Sequence, residues 1–324
     1  MGLIDQPLLF RQSSMSPILH ALLPIFLVII AGWLARQTGF VDDRHWPGVE
    51  KVTYVIFFPA IVVFTLARAD LSTVPVAGVG GALVCGILSV AALLVASRGL
   101  LEHKLGIDGP SFTFVFQGAT RWNTFVALAV TGSLFGTRGL ATMAVAVAAM
   151  IPLLNVLAIA VLVRYAGGPP QTTRQILRAL VTNPFIWSSA LGLALNLTGI
   201  GLPGPTASFV KILGDAALAT GLLVAGAGLD IRRLAAPQPA HAVSLLAKLL
   251  LLPIIATFIA RLYGLGGEDL AVVAIASTVP TASGGYLLAK QMGGNAPLMA
   301  EIITVQTLVS LVSMPLMIGL LASN

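Results

Sequence analysis

Residues 112–130 read Phe112-Thr-Phe-Val-Phe-Gln-Gly-Ala-Thr-Arg-Trp-Asn-Thr-Phe-Val-Ala-Leu-Ala-Val130. Apolar runs on both sides lead into a polar centre, Gln117 to Thr124, with Arg121 and Asn123 inside it. The chain around it has 324 residues, 57% of them apolar and 9% charged. Soluble domains carry about 25% charge, so the solvent of most of this chain is lipid. In lipid, an arginine at the bilayer centre costs about 2.5–3.5 kcal/mol on insertion scales and usually faces an internal cavity. With Gln117, Asn123, Thr120 and Thr124 beside it, an uninterrupted lipid-facing helix is excluded.

Adding 160 to this window lands on Ser277-Thr-Val-Pro-Thr-Ala-Ser-Gly284. Pro280 lacks an N–H and clashes with the preceding turn, and Gly284-Gly285 weakens a helix further. Thr278, Thr281 and Ser283 sit beside this break. Backbone groups freed inside a membrane are tolerated only where protein or a wet cavity satisfies them. Two polar interruptions at equivalent points are the pattern of a substrate site.

The same offset links Pro24, Gly32 and Thr38-Gly39 with Pro184, Gly192 and Thr198-Gly199, and Lys51 with Lys211. Each membrane helix needs roughly 20 apolar residues. Such stretches fall near 17–36, 46–67, 74–97, 110–134, 139–163, 182–200, 206–229, 241–263, 269–290 and 297–321. They lack period-2 alternation and are helices, not barrel strands. The fold expected is an all-α polytopic membrane protein of ten helices in two five-helix repeats. The segments are an extension over 1–16, a first repeat over 17–165, a linker over 166–181 and a second repeat over 182–324. Five crossings are an odd number, so the second copy enters from the opposite face. An unrelated ten-helix bundle is the alternative.

Charge gives the direction. Arg36, Arg44, Lys51, Arg98, Lys104, Arg164, Arg174, Arg178, Arg232, Arg233 and Lys290 follow odd-numbered stretches. Only Arg11, Arg68, Arg138, Lys211 and Arg261 lie on the other side. The positive-inside rule puts both termini outside the cytoplasm, in a cytoplasmic (inner) membrane. No signal peptide is read at the start, and Met15 is a plausible initiator ahead of the first stretch. The net charge of +6 is scattered singly and in pairs, which does not suggest nucleic acid. One cysteine, Cys85, and four dispersed histidines offer neither a disulfide framework nor a metal site. No cofactor is expected.

The half-helices after the breaks would aim N–H groups and positive dipole ends into the cavity. With Arg121, Asn123, Thr124, Gln117, Pro280, Thr281 and Ser283, this constellation suits a small anion, a carboxylate being the commonest. The alternative is structural: Arg121 pairs with Glu301 or Asp215. Those two carboxylates are also candidates for ion coupling, or simply sit near helix starts where negative charge is favourable. Lys248 is expected to snorkel, and Pro59 to kink the second helix.

Leu22-Leu-Pro-Ile-Phe-Leu27, Gly32-Trp-Leu34, Phe57-Phe-Pro-Ala60, Gln117 to Thr124, Val279-Pro-Thr-Ala-Ser283 and Ala289-Lys-Gln291 occur in order along the chain. In this the sequence resembles the auxin efflux carrier family of membrane transporters, particularly its bacterial members. The resemblance implies ten helices as two inverted repeats, with helices four and nine crossing. It also implies elevator-like alternating access, with helices one, two, six and seven as scaffold. Asn123-Thr124 looks like the Asn-Thr after the break in helix four of the plant PIN-type carriers, and Val279-Pro280 like the Leu-Pro of their ninth. Arg121-Trp122 stands where those carriers have proline, which argues against auxin. Bacterial relatives are usually named malonate or malate permeases, so a small mono- or dicarboxylate is expected. Dimers are common in such scaffolds, which leaves a homodimer open. The rival transport readings are a sodium-coupled organic-anion symporter of the bile-acid type and a channel. An enzyme is not expected, since no His-Glu-x-x-His or Gly-x-Ser-x-Gly occurs.

Overall fold

The structure, a computed structural model, describes residues 16–70, 74–166, 172, 174, 177–178, 181–231, 238–282 and 296–322. Among these residues it is helical, without strands. The order is α1 (Ser16–Gln37), α2 (Trp46–Val52), a π turn (Thr53–Phe57), α3 (Phe58–Arg68), α4 (Val76–Ala96), α5 (Arg98–Leu105), α6 (Gly109–Thr120) and α7 (Thr124–Tyr165). Then follow α8 (Pro184–Leu197), α9 (Gly204–Ala227), α10 (Pro239–Leu246), a second π turn (Ala247–Leu251), α11 (Leu252–Leu262), α12 (Gly267–Thr278) and α13 (Ala296–Ala322).

Seven helical stretches among the described residues are long and apolar enough to cross a membrane. One of them, Gly109–Tyr165, is 57 residues long and takes in the fourth and fifth predicted stretches. Gly136, at φ 57° and ψ −141°, turns the chain inside α7 and separates the two. The sixth and ninth predicted stretches appear as the shorter helices α8 and α12. The molecule is therefore a multi-pass helical membrane protein. The extension before residue 16, Ser283 and the remainder of the ninth stretch, and Arg232, Arg233 and Lys290 lie outside the described residues.

Local geometry repeats along the chain. After α1, Gly39 N–H bonds Arg36 O at 3.1 Å and Val41 N–H bonds Ala35 O at 3.1 Å. After α8, Gly199 N–H bonds Asn196 O at 3.0 Å and Gly201 N–H bonds Leu195 O at 2.9 Å. Gly39 and Gly199 both sit at φ 71°, the left-handed region where a glycine ends a helix without a Cβ penalty. Thr38 and Thr198 each return a hydroxyl bond to the carbonyl four residues back. Further along, the shift between equivalents is two residues smaller. Gly106 pairs with Gly264, both at positive φ, and α6 with α12, each of 12 residues.

The helices pack as two groups. In the first, α1 lies on α9, and α3 lies on α8 and α9. A Cβ on Gly226 would overlap the Ile29 carbonyl, and one on Gly32 the Leu223 carbonyl, so glycine is what lets α1 and α9 touch. Asn196 Nδ2 donates to Leu66 O (2.9 Å) and Ala69 O (2.7 Å), tying α8 to the end of α3. In the second group α4, α6, α10, α11, α12 and α13 pack together with α7. Its core holds Phe112, Phe114, Phe116, Met143, Met150 and the apolar face of α12 from Leu270 to Ala276. The α7 segment touches both groups, and α1 also meets α13.

Both π turns precede a proline. Pro59 and Pro253 supply no N–H, and their rings displace the carbonyl four residues earlier. The turn widens: Phe58 N–H bonds Thr53 O and Leu252 N–H bonds Ala247 O, each five residues back. The kink expected at Pro59 takes this form.

Candidate functional site

The helix break in 112–130 is built by its own residues. Asp108 opens α6, its carboxylate accepting from Ser111 N at 2.9 Å. Hydrogen bonds from the Ser111 hydroxyl and from its backbone N–H hold the Asp108 carboxyl below the usual carboxylate range. α6 ends at Thr120, whose hydroxyl bonds back to Phe116 O at 2.8 Å. Arg121 is extended (φ −68°, ψ 160°). Asn123 then caps α7, its side-chain oxygen accepting from Val126 N at 3.2 Å. Val126 and Ala127 N–H are both taken by Asn123, which leaves Thr124 and Phe125 N–H at the helix start without intrahelical partners.

The second break has a different cause and the same shape. Val279 precedes Pro280 and is driven out of the helical region to φ −62°, ψ 146°. α12 ends at Thr278, whose hydroxyl bonds Ala274 O at 2.8 Å. In this register, Val279 is the counterpart of Arg121 and Thr281 of Asn123. The offset of 160 read from the sequence is 158 here, because two residues are lost between the early and late helices.

The two breaks meet. Asn123 N–H donates to Pro280 O at 2.8 Å, and the Thr281 hydroxyl approaches Gln117 O at 3.4 Å. A residue the sequence reading passed over locks them together. Gln306, on α13 and 1% exposed, accepts from Thr281 N (3.0 Å) and donates to Gly118 O (3.0 Å) and Ser244 Oγ (2.9 Å). A Cβ on Gly118 would overlap Ser244 Oγ and come within 2.7 Å of Ile302 Cγ2. The signal was legible: an amide in the apolar run Ile302-Ile-Thr-Val-Gln-Thr-Leu308 is as anomalous as a charge.

Arg121 is half-buried. Its Nε donates to Gln117 Oε1 at 3.0 Å, and no carboxylate pairs with it among the described residues. Glu301 bonds His241 Nε2 at 3.0 Å, and Gln238 N–H at 3.3 Å from His241 Nδ1 orients that ring. Asp215 pairs with Lys211 at 2.6 Å on an exposed face of α9. The structural pairing of Arg121 with either acid is therefore absent. Gln117, Asn123, Thr124, Pro280 and Thr281 are buried at the meeting point with it, while Ser283 lies outside the described residues. Glu301 belongs to the same helix group; Asp215 does not join the site. Lys248 does not snorkel. It is 0% exposed, on a π turn packed against α6, α12 and α13, and its Nζ has no hydrogen-bond partner.

Polar atoms around Arg121 are unsatisfied. Gln117 Nε2 and the Nε1 of neighbouring Trp122 are buried with no hydrogen-bond partner. From the first helix group, the Tyr54 hydroxyl bonds the Asn183 side chain and interacts electrostatically with Arg121 and Glu50. Arg121, the unbonded Gln117 and Trp122 N–H groups and the start of α7 together offer hydrogen bonds that an anion can accept.

The model of a family described as membrane transport protein matches residues 168–318. That span includes Pro280, Thr281 and Gln306 and stops short of the break at Arg121. Over 308 residues the chain is 25% identical to an uncharacterized transporter of Methanothermobacter thermautotrophicus, covering 92% of this chain and 96% of the relative. These similarities point to transport. The chain thus resembles the membrane transport family expected from its motifs, with the family pattern carried by its second half.

Proposed function

We propose that the protein is a secondary transporter of small organic anions, mono- or dicarboxylates, working by alternating access. In this reading the chain crosses the membrane ten times as two inverted five-helix repeats, and α6–α7 and α12 with its continuation are the broken fourth and ninth helices. The recurring caps at Gly39 and Gly199, and the equal half-helices α6 and α12, support the repeat. The division of packing supports a static group (α1, α2, α3, α8, α9) and a moving group that carries the crossing.

The observation that carries the reading is Arg121. A guanidinium inside a membrane protein, paired with no acid among the described residues, is an expensive arrangement, and a carboxylate substrate relieves it. The carboxylate would sit on Arg121, with the Thr124 and Phe125 N–H groups and the Gln117 amide completing its hydrogen bonds. Thr281 and Pro280 shape the facing wall. Asn123 acts mainly through structure, since its side chain caps α7 and its N–H holds Pro280.

The test is uptake of radiolabelled malonate and acetate into proteoliposomes. Arg121→Ala is expected to abolish saturable flux while the purified variant keeps its elution profile and cooperative melting. Unchanged uptake in that variant overturns the reading.

A further inference from the structure

We infer that Glu301, held by His241, binds a proton that crosses with the substrate, which makes the protein a proton–carboxylate symporter. This rests on the reading that Arg121 holds a carboxylate and moves with the crossing.

The hydrogen bonds of the pair decide which atom takes the proton. Gln238 N–H donates to His241 Nδ1 at 3.3 Å, so Nδ1 carries no hydrogen. The neutral ring then has its hydrogen on Nε2 and donates it to Glu301 Oε2 at 3.0 Å. A proton added at Nδ1 would set one N–H against another. A proton added at Glu301 Oε1 disturbs nothing, because Oε2 of the neutral carboxyl still accepts from Nε2–H. His241 is thus the fixed donor, and Glu301 the group that gains and loses a proton. One O–H bond forms at Oε1 with a proton from water on one face and breaks to water on the other. The side chain is 13% exposed, and a nearly buried carboxyl within a membrane helix is a common proton site.

The pair also connects to the crossing. His241 and Ser244 lie one turn apart on α10, and Glu301 and Gln306 both lie on α13. Gln306 donates to Ser244 Oγ at 2.9 Å and holds Thr281 N–H and Gly118 O. Two rungs, His241–Glu301 and Ser244–Gln306, therefore join the same helices. Ionised Glu301 makes its rung charge-assisted, and such bonds are about twice as strong as neutral ones. Protonation weakens it beside the rung that clamps both breaks. A carboxylate on Arg121 adds negative charge to the moving group, and the proton offsets one unit of it, so less charge moves through the membrane field.

The surrounding elements bring few other titratable groups among the described residues. The π turn brings Lys248, and α6 brings none. α12 brings Glu268 and Asp269, both engaged by Arg138, and α11 brings Arg261, bonded to Leu321 O. α1 brings His20 and Arg36, the latter paired with Asp43. Asp230 N–H donates to the Thr304 hydroxyl, one turn along α13 from Glu301.

The experiment uses proteoliposomes, radiolabelled malonate and Glu301→Gln, whose amide still accepts from His241 and mimics a carboxyl that never releases its proton. Counterflow into vesicles preloaded with unlabelled malonate is measured at equal pH, and accumulation with the outside made more acidic. Trapped pyranine reads lumen pH as malonate enters at equal pH. In wild type the gradient drives accumulation, and the lumen acidifies beyond protein-free vesicles. In Glu301→Gln, accumulation is expected to fall about tenfold or more, the scale of a typical coupling free energy, with counterflow within about twofold of wild type. Glu301→Asp, which keeps an ionisable carboxyl, is expected to retain accumulation; equal loss in both variants makes the residue structural and overturns the inference. Gradient-driven accumulation that survives in Glu301→Gln overturns it too. A wild type with saturable counterflow that fails either proton readout overturns the inference and leaves the carboxylate reading standing. If wild type shows no saturable malonate counterflow, the carboxylate reading itself falls, and this inference with it.

Discussion

Gln306→Leu is the most direct test of how the crossing is held. The amide joins three segments, and leucine keeps its approximate volume while removing every polar atom. Two main-chain groups lose their partner outright. Thr281 N–H follows Pro280 in extended chain, and Gly118 O lies in the last turn of α6. Each buried orphan costs about 1–3 kcal/mol, so the pair amounts to about 2–6 kcal/mol. Ser244 adds less, because hydroxyl rotation can find another acceptor. Melting in detergent, followed by tryptophan fluorescence, reads the change as a fall of several degrees. Gln306→Glu separates the parts: it keeps the acceptor for Thr281 N–H, loses the donors, and places a negative charge beside the Gly118 carbonyl. It is expected to be at least as damaging as leucine. A Gln306→Leu variant that melts within about 0.5 kcal/mol of wild type and transports normally would show that the crossing is held by packing alone.

Gly118→Ala is expected to destabilise by about 1–3 kcal/mol through overpacking against Ser244 and Ile302, and the same melts detect it. Asp108→Ala removes the cap of α6 and costs about 1 kcal/mol at neutral pH. Because hydrogen bonding from Ser111 lowers the Asp108 pKa in the folded protein, the stability it gives is complete above its ordinary value near 4 and fades as pH falls through the folded value. The gap between wild type and Asp108→Ala should therefore narrow on acidification, whereas Asp108→Asn keeps the cap with no such dependence; a gap that widens in acid contradicts the assignment. Glu50 faces Tyr54 and repels a second negative charge, so Glu50→Gln should favour malonate over acetate by a factor of about two to five in competition uptake.

How much of this was readable from the chain alone depends on the kind of signal. Apolar length located the long helices, and Pro280 located one break, because a missing N–H is a local fact. The break at Arg121 was legible only as an accumulation of polar residues, since no proline marks it. The offset of 160 aligns Gly39 with Gly199, whereas α6 and α12 start 158 residues apart, so one offset does not align both pairs. Gln306 and Ser244 escaped because their role is created by three segments far apart in sequence.

The two alternatives for Arg121 make different demands on the rest of the molecule. Had it been structural glue, one acid near it should lack any other partner. Instead Glu301 is engaged by His241, itself oriented by Gln238 N–H, and Asp215 by Lys211. Freeing either would sacrifice an existing partner, His241 for Glu301 or Lys211 for Asp215, to gain another, an exchange that cannot offset the burial of a guanidinium. The hydrogen bonds at the crossing run the same way: backbone partners are matched across the breaks, whereas Arg121, Gln117 and Trp122 retain unused donors. A fold that satisfies its main chain so fully at a helix break, and leaves only donors over, is complete with respect to structure and incomplete with respect to an acceptor. In the reading proposed above, a carboxylate substrate is that acceptor.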